Sequence, residues 1–576
     1  MSPTHLGRTH FDLPSSWLHA GIVELTAEIN PNHRPQERTY ENNMILVKRP
    51  FHQMPPIVMN WISVKQKGTG QVSTTGDFND AYRFMRDTYP VSQIVVQNKG
   101  SVQVGPLNSV DRQIALLNQL QEIDEKTDEA EERAVWVGLV HPDINTSDQE
   151  GDVLGRAWYD SQQAFAKPDE DTLAHEIGHA YNRQHVDCPA GDPKDTDVNY
   201  PYPSCKISQG SSLDHWGLRV RSANRIRTRD PNFHPDFMSY GAVPWVSDYT
   251  YEALWEYILT NFGKAAGQSS TAAQNQTDTI LRVIGVIDSS SVTASIERIY
   301  TVTDGTSVEV VGGGDYLLEM VDGDGTVLSS RQFAPEVFSE AELIDLLPFS
   351  VLTPRLVDTA AVRVSREGTV LAERTVSANP PVVTVISPNG GETVDVPTNV
   401  TWSASDADDD ALSYTIQYST DNGATWQAVA VQLTETTFEL DPHPLPGGQQ
   451  ALIRVIANDG YHSASDESDQ AFTVARKGPK AMIIDPQVQQ AVLPGVSTYL
   501  YGYGYDPEDG PLPDDAHTWL SDKDGVLGIG ADKIISLSAG PHTITLTVTD
   551  SDGNQASDSV ELLGGVPLYL PTILVE

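Results

Sequence analysis

The chain has 576 residues, which at roughly 100 to 200 residues per domain implies about three to five domains. Asp and Glu number 79 against 37 Lys and Arg, which gives a formal net charge of −42. This excess disfavours nucleic acid and anionic membranes as partners, because both are bound through basic faces. No run of eighteen apolar residues occurs, so a bilayer-spanning helix is not expected.

The first 49 residues have the pattern of a β module. Segment 22–29 alternates apolar and polar side chains, as a half-buried strand does. The stretch resembles the last strands of bacterial Ig-like adhesion modules, so we expect a partial module of this type at 1–49. The N-terminal residues have neither the basic start nor the apolar run of a secretory signal, and we expect that a segment upstream of Met1 is missing.

Residues 50–265 show a different pattern, in which apolar strand segments alternate with amphipathic helical ones, as in α/β folds. The last of the helical segments begins among acidic residues that can cap it. The predicted strands are 57–64, 92–96 and 134–140, and the predicted helices are 78–89, 110–132 and 169–182.

From residue 266 onward, strand patterns separated by turn signals recur about every 8–12 residues, which is typical of β-sandwiches. One helix signal, at 339–347, interrupts them. These modules resemble the fibronectin-III, Ig-like and PKD-type modules appended to exported bacterial enzymes. Proline-containing breaks divide the region into expected modules at 266–379, 380–476 and 477–565, followed by a tail at 566–576.

The chemistry concentrates in one segment of the α/β region. His175 and His179 are four residues apart on a predicted helix, so one face presents both imidazoles, a spacing that suits zinc. Glu176 can reach a metal-bound water without being a ligand, which is the placement of a general base. His185 lies six residues beyond His179, so the chain must turn first. Asn182 suits that turn, because Asn tolerates positive φ better than most residues.

This segment resembles the metzincin zinc metalloproteases, whose pattern is His-Glu-x-x-His-x-x-Gly-x-x-His. Asn182 stands where that family has Gly, and Val186 differs from the residue that follows the third His in the best-known subgroups. The resemblance implies a Met-turn under the zinc, matched here by Met238. It also implies that Tyr240, two residues later, points at the metal and stabilises the oxyanion. The implied ligands are His175, His179 and His185, with Glu176 as the base.

Segments 185–188, 200–203 and 244–250 further resemble a group of exported bacterial metzincin-like proteins. The resemblance covers about residues 130–260. It implies that 151–159, just before the zinc-binding helix, is an antiparallel edge strand over the cleft, where an extended peptide can pair. The predicted fold class is therefore multidomain, with an α/β (α+β) metzincin-like zincin catalytic domain and several all-β Ig-like sandwich domains.

Two further features suggest stabilising elements. Cys188 and Cys205 lie 17 residues apart, and a local disulfide is the favoured state, with two free thiols as the alternative. Closely spaced carboxylates at Asp406, Asp408 and Asp410 suit Ca²⁺, with solvated acidic turns as the alternative. Residues 381–576 hold 28 acidic and 6 basic residues, so the negative charge is concentrated in the appended modules.

The sequence therefore predicts a secreted or cell-surface zinc endopeptidase, a monomer that hydrolyses peptide bonds of extracellular proteins or glycoproteins. The β modules could contact cell-surface glycans. One alternative is a surface adhesion or carbohydrate-binding protein in which the metzincin domain is secondary or inactive. Another is a zinc hydrolase of non-peptide bonds, which the motif alone does not distinguish from a peptidase. The intact set of three histidines and Glu176 favours the enzyme.

Overall fold

A computed structural model describes most of the chain. The described residues are 21–28, 44–69, 71–73, 75–91, 93–128, 134–147, 153–169, 171–188, 196–209, 217–220, 226–262, 279–302, 313–337, 339, 345–486, 488, 491–492 and 497–564. The predicted tail at 566–576 lies outside them, as does most of the predicted partial module at 1–49. Two strands at the N-terminal side, β1 (Gly21–Glu28) and β2 (Met44–Phe51), form an antiparallel pair.

An α/β domain follows, and its centre is a five-stranded sheet. The strands Ile57–Gln66 and Val135–Val140 at its centre are rich in apolar residues and almost wholly buried, because both faces of the sheet are covered. The strands are β3 (Ile57–Gln66), β4 (Ile94–Val104), β5 (Val135–Val140), β6 (Gly155–Ala157) and β7 (Gln163–Ala166). The helices are α1 (Thr75–Thr88), α2 (Val110–Glu125), α3 (Thr172–Ala180) and α4 (Asp248–Phe262).

The strand order is β4-β3-β5-β7-β6, and β6 alone runs antiparallel to its neighbour, at the edge. One core lies between the sheet and helices α1, α3 and α4, and a second lies on the α2 side. Helix α2 ends at Glu125, before the predicted residue 132, because the chain then turns to a later module: the Asp128 amide donates to the Trp426 carbonyl at 2.7 Å. A short antiparallel pair, β8 (Gly217–Val220) and β9 (Ile226–Arg229), follows α3.

The next region, 279–375, is a seven-stranded, two-sheet sandwich. Its sheets have the orders β11-β10-β14 and β13-β12-β15-β16, and one core lies between them. Of the predicted helix at 339–347, residues 340–344 lie outside the described residues. Its last two residues, 346 and 347, belong to strand β14, so the prediction is wrong there. The strands are β10 (Ile280–Asp288), β11 (Thr293–Val302), β12 (Tyr316–Val321), β13 (Val327–Phe333), β14 (Leu346–Pro354), β15 (Ala361–Arg366) and β16 (Thr369–Thr375).

The third β region, 382–474, is a second two-sheet sandwich. One sheet has the order β17-β19-β22 and the other β18-β25-β23-β20-β21, with β24 also paired to β23. The strands are β17 (Val382–Ser387), β18 (Thr393–Val394), β19 (Thr398–Ser405), β20 (Ser413–Ser419), β21 (Gln427–Leu433), β22 (Thr437–Leu440), β23 (Gly448–Asn458), β24 (Ser463–Glu467) and β25 (Phe472–Val474).

The last region, 480–564, repeats that arrangement. Its sheets are β26-β28-β32, with β29 also on β28, and β27-β34-β33-β30-β31. In both regions a short early strand pairs in parallel with the last strand, and the two sheets divide the strands as Ig-like sandwiches do. The strands are β26 (Lys480–Asp485), β27 (Ala491–Val492), β28 (Ser497–Asp506), β29 (Gly510–Pro511), β30 (His517–Ser521), β31 (Gly525–Ile529), β32 (Asp532–Ser536), β33 (His542–Thr549) and β34 (Gln555–Gly564).

These sandwiches pack against the α/β domain. Ala428 and Val431 from β21 are part of the core on the α2 side, and Ile484 from β26 is part of the core on the α1 side. The Arg298 guanidinium, from β11, contacts the buried carboxylate of Glu122 on α2 at 2.9 Å. The all-β sandwich part of the predicted fold is therefore confirmed, and within the described ranges no helix is long and apolar enough to cross a membrane.

Candidate metal centre

Helix α3 carries the first two histidines into the protein interior. All nine of its residues are buried, and His175 and His179 share the face directed at the segment after the helix. The Tyr89 hydroxyl at the end of α1 donates to the Ala174 carbonyl at 2.7 Å, which fixes α3 from the other side. Because both imidazoles are buried, their ring nitrogens need hydrogen-bond partners or a bound ion within the protein.

The turn after α3 delivers the third histidine. Asn182 has φ 62°, in the left-handed region, and the Arg183 amide donates to the Gly178 carbonyl at 2.9 Å. The chain then reverses, and the Val186 amide donates to the Met238 carbonyl at 2.8 Å. His185 is thereby fully buried beside α3. The Asn at this position performs the conformational task for which a Gly is usual.

The three Nε2 atoms converge on one point. The His175–His179 distance is 3.0 Å, and the distances from His185 to each of them are 3.2 Å. Nitrogens bound at about 2.0–2.1 Å to one tetrahedral ion are about 3.3 Å apart, so the observed spacing fits a zinc ion held by all three.

The protonation of two of these rings can be assigned from their partners. Nδ1 of His175 lies 2.7 Å from the Phe237 carbonyl oxygen, and Nδ1 of His179 lies 2.6 Å from that of Arg183. A carbonyl only accepts, so each Nδ1 carries the proton and each Nε2 presents a lone pair. Burial, reinforced by His185 and His175, lowers the pKa of His179 well below its ordinary value. Converging lone pairs in a buried place are what a cation requires.

A tight turn supports the histidines from below. Met238 is fully buried, and a Cβ on Gly178 would lie 2.4 Å from its Sδ, so a larger residue at 178 would force the Met238 side chain to shift. The buried Asp236 carboxylate accepts the amide of Met238 at 2.8 Å and that of Ser247 at 2.9 Å. Burial raises the pKa of Asp236, although these hydrogen bonds act in the opposite direction.

Glu176 and Tyr240 have different surroundings. Glu176 is buried against edge strand β6, where a Cβ on Gly155 would lie 2.5 Å from its Cγ. The Tyr240 hydroxyl is 3.1 Å from Nε2 of His185, and the side chain is 43% exposed, so it is open to a ligand. Tyr240 therefore contacts the histidine cluster directly, and Glu176, next to His175 in the sequence, lies between α3 and β6.

The remaining predicted residues form two separate features. Cys188 and Cys205 are joined by a disulfide, which ties the segment after His185 to Cys205, whose carbonyl accepts the Asp236 amide at 2.6 Å. Carboxylate oxygens of Asp406, Asp408 and Asp410 lie within 4.8 Å of one another on the surface of the 382–474 sandwich.

Sequence reasoning missed several groups at the centre. The carbonyls of Phe237 and Arg183 fix the two imidazoles, but backbone groups leave no sequence signal. Asp236 had a signal, since it stands two residues before Met238, but no role was assigned to it. Ser339, from a distant β module, contacts Glu176, and no local pattern could indicate it.

Comparison with known proteins gives no family for the chain. No protein-family model matches it, and neither does any curated protein. Among solved structures it is similar to the fibronectin(III)-like modules of CbhA from Clostridium thermocellum, at 18% identity over 32% of this chain and 94% of that one, with a TM-score of 0.14.

Further similar structures are the N-terminal four Ig domains of Dscam1 isoform 7.44, at 15% identity, and Sidekick-1 immunoglobulin domains 1–5, at 12%. The TM-scores are 0.19 and 0.15, and each match covers 43% of this chain. The chain spans less than two thirds of their length, at 66% and 52%. These TM-scores are too low to indicate a shared overall fold. The sandwiches are identified by their strand pairing alone.

Proposed function

We propose that this protein is a zinc-dependent endopeptidase that acts outside the cell, with His175, His179 and His185 as the metal ligands. The observation that carries the proposal is the convergence of three buried Nε2 atoms, two of them with assigned lone pairs, next to a buried carboxylate. When bound, zinc acts as a Lewis acid on a carbonyl oxygen and lowers the pKa of a coordinated water.

Residues of the chain itself would transfer the proton, stabilise the oxyanion and orient the substrate. Glu176 accepts a proton from the attacking water at its carboxylate and carries it to the leaving amide nitrogen, as its place beside His175 allows. Tyr240 donates from its hydroxyl to the oxygen on which negative charge develops. Edge strand β6 offers backbone groups that orient an extended peptide in antiparallel pairing.

The proposed location and partners follow from the accessory sandwiches. Ig-like modules of this kind are common in extracellular and cell-surface proteins, and a disulfide persists in oxidising compartments. We therefore propose extracellular proteins or glycoproteins as substrates, acted on by a monomer. The adhesion alternative remains the outcome to expect if the centre binds zinc without hydrolysing peptides. Calcium binding at Asp406, Asp408 and Asp410 stays a prediction.

The test combines metal analysis with a cleavage screen on proteome-derived peptides. We expect about one zinc per chain and cleavage that disappears in Glu176→Gln while zinc is retained, because the substitution removes the proton acceptor and keeps the ligands. Glu439→Gln, an exposed glutamate of the 382–474 sandwich, is the control and should cleave normally. Unchanged cleavage by Glu176→Gln would refute the role of that residue.

A further inference from the structure

The edge of the catalytic sheet is already paired, with a segment of this same chain. The Tyr159 amide, just after β6, donates to the Val337 carbonyl at 3.1 Å, and the Ser339 amide donates to the Ala157 carbonyl at 3.0 Å. Residue numbers fall along one segment as they rise along the other, so the pairing is antiparallel. The partner lies in the connection between β13, which ends at Phe333, and β14, which begins at Leu346.

The same segment reaches the proposed general base. The Ser339 hydroxyl donates to a carboxylate oxygen of Glu176 at 3.3 Å and accepts the Ala157 amide at 3.2 Å. The Arg156 guanidinium donates to the Ser339 carbonyl at 3.4 Å, and Ser339 is only 1% exposed. The ring of Tyr159 in turn packs edge-on against that of His179, with centroids 5.1 Å apart, so the pairing takes place beside the metal centre.

These contacts use the groups that a substrate would need. An extended peptide pairs with the outer amides and carbonyls of an edge strand. Here the Tyr159 amide and the Ala157 carbonyl are already paired with Val337 and Ser339. Val337, by contrast, is 59% exposed, and with Glu336 it borders a cavity of about 620 Å³ that also reaches Tyr159 and Tyr257. Ser339 is therefore buried next to Glu176, whereas Val337 faces the open cavity. The cavity gives these residues space into which they can move away from β6.

We propose that Val337 and Ser339 form an internal plug: their backbone groups occupy the substrate strand position beside β6, and Ser339 holds Glu176, so that the intact chain is latent until the plug is displaced. This inference rests on the proposed peptidase function for its catalytic consequence, but the occupancy of β6 can be tested without catalysis. A substrate must compete with the plug, so the apparent KM equals the intrinsic KM divided by the fraction of molecules that are open, while kcat is unaffected.

The test is Ser339→Pro, which removes the donated amide and the hydroxyl together. Its control is Val357→Pro in the same sandwich, at the second position of the turn closed by the Thr359 amide on the Leu356 carbonyl, where proline is favoured. With labelled, unfolded casein as the probe, we expect kcat/KM for Ser339→Pro to rise on the order of tenfold through KM, since each lost hydrogen bond contributes a factor of a few to about ten. Val357→Pro should match the wild type.

A second measurement separates the plug from the chemistry. In the Glu176→Gln background, Ser339→Pro should bind the casein probe on the order of tenfold more tightly, and the amides of residues 155–159 should exchange hydrogen faster. If no form cleaves casein but these two changes occur, the peptidase proposal fails and the plug stands. Unchanged or weaker casein binding and unchanged exchange would overturn the plug. A fall in kcat with constant KM would mean that Ser339 positions Glu176 for catalysis, which also overturns it.

Discussion

Two clusters predicted from the sequence to bind metals differ in what already satisfies their ligand atoms. In each, three potential ligand atoms lie within 4.8 Å of one another. The imidazoles of the α/β domain are buried, and the Nδ1 protons of His175 and His179 are taken by carbonyls, so the Nε2 lone pairs face one another. In the acidic cluster, by contrast, Asp408 accepts hydrogen bonds from Asn379 and Ser377.

This difference shows why close spacing alone is weak evidence for a metal. An exposed carboxylate can be stabilised by water and by nearby donors, as the lowered pKa of Asp408 beside Asn379 and Ser377 shows. Two buried imidazole lone pairs repel each other unless a proton or a metal cation lies between them. Burial lowers the pKa of His179, which disfavours the proton. The predictions below test this contrast, beginning with the change of largest effect.

The largest effect is expected for His179→Ala, which removes a fully buried imidazole that we propose as a zinc ligand. We expect loss of stoichiometric zinc and of all peptide hydrolysis, because two imidazoles cannot hold the ion in this geometry. Metal analysis after dialysis measures the first and the casein assay the second. His443→Ala, an exposed histidine of the 382–474 sandwich, should leave both unchanged. Retention of zinc by His179→Ala would contradict the assignment of the ligand set.

Asp236→Asn is expected to act through the turn that supports His175. The carboxylate of Asp236 accepts hydrogen bonds from the backbone amides of Met238 and Ser247. In Asp236→Asn one of the two side-chain oxygens is replaced by an NH₂ group, which cannot accept, so one of these bonds is lost. We expect the turn to loosen and the Phe237 carbonyl to move. Zinc affinity should fall about tenfold to a hundredfold, as for other groups that orient ligands. Competition with a chelator measures it, with the exposed Asp395→Asn as control. Equal affinity would show that the turn does not position the ligand.

Gly178→Ala tests the packing between α3 and Met238. The added methyl would lie 2.4 Å from Sδ of Met238, an overpacking that should cost about 1–3 kcal/mol in the free energy of unfolding. The double variant Gly178→Ala with Met238→Ala should be less destabilised than the sum of the single variants, because the clash is then removed. Simple additivity in denaturant unfolding would mean that the two residues are not coupled.

Glu336→Gln tests a carboxyl beside the plug. Burial raises the pKa of Glu336 to about 7; Arg282 opposes this shift and Glu125 adds to it. The folded pKa lies above the unfolded value, so the native state keeps the proton between about pH 4.3 and 7, and wild-type stability falls as pH rises through that window. The effect is on the order of 1 kcal/mol because the side chain is partly exposed. Glu336→Gln should flatten the dependence of Tm on pH, and an unchanged slope would contradict it.

The smallest effect concerns the acidic cluster. If it binds Ca²⁺ as the sequence predicts, millimolar calcium should raise Tm slightly in the wild type and not in Asp408→Asn, because such surface sites are weak. Zinc content and casein cleavage should be the same in both proteins. A loss of zinc from Asp408→Asn would remove the contrast between the two clusters.

Local sequence patterns predicted the histidine cluster and the turns beside it. They could not predict contacts between residues far apart in the sequence. The spacing of His175 and His179, the turn at Asn182 and the Met238 turn depend on neighbours along the chain, so the sequence could indicate them. Strand β7 has four residues, too few for a periodic signal. The contact of Ser339 with Glu176 joins residues 163 positions apart, and only the folded chain brings them together.

The packing of the sandwiches on the α/β domain could not be predicted from the sequence either. Ala428 and Val431 look like ordinary strand residues, and their place in the α2-side core depends on how two domains meet. The strand pattern did predict the two-sheet sandwiches, because alternating side chains and turn residues act within each module.

The central claim is that three imidazoles hold one zinc ion, and X-ray absorption spectroscopy of the zinc edge, on protein of measured metal content, tests it most directly. The account predicts about one zinc per chain with three imidazole nitrogens at about 2.0–2.1 Å, and no zinc in His179→Ala. A folded wild-type protein that takes up no zinc, or zinc held mainly by carboxylates, would contradict it.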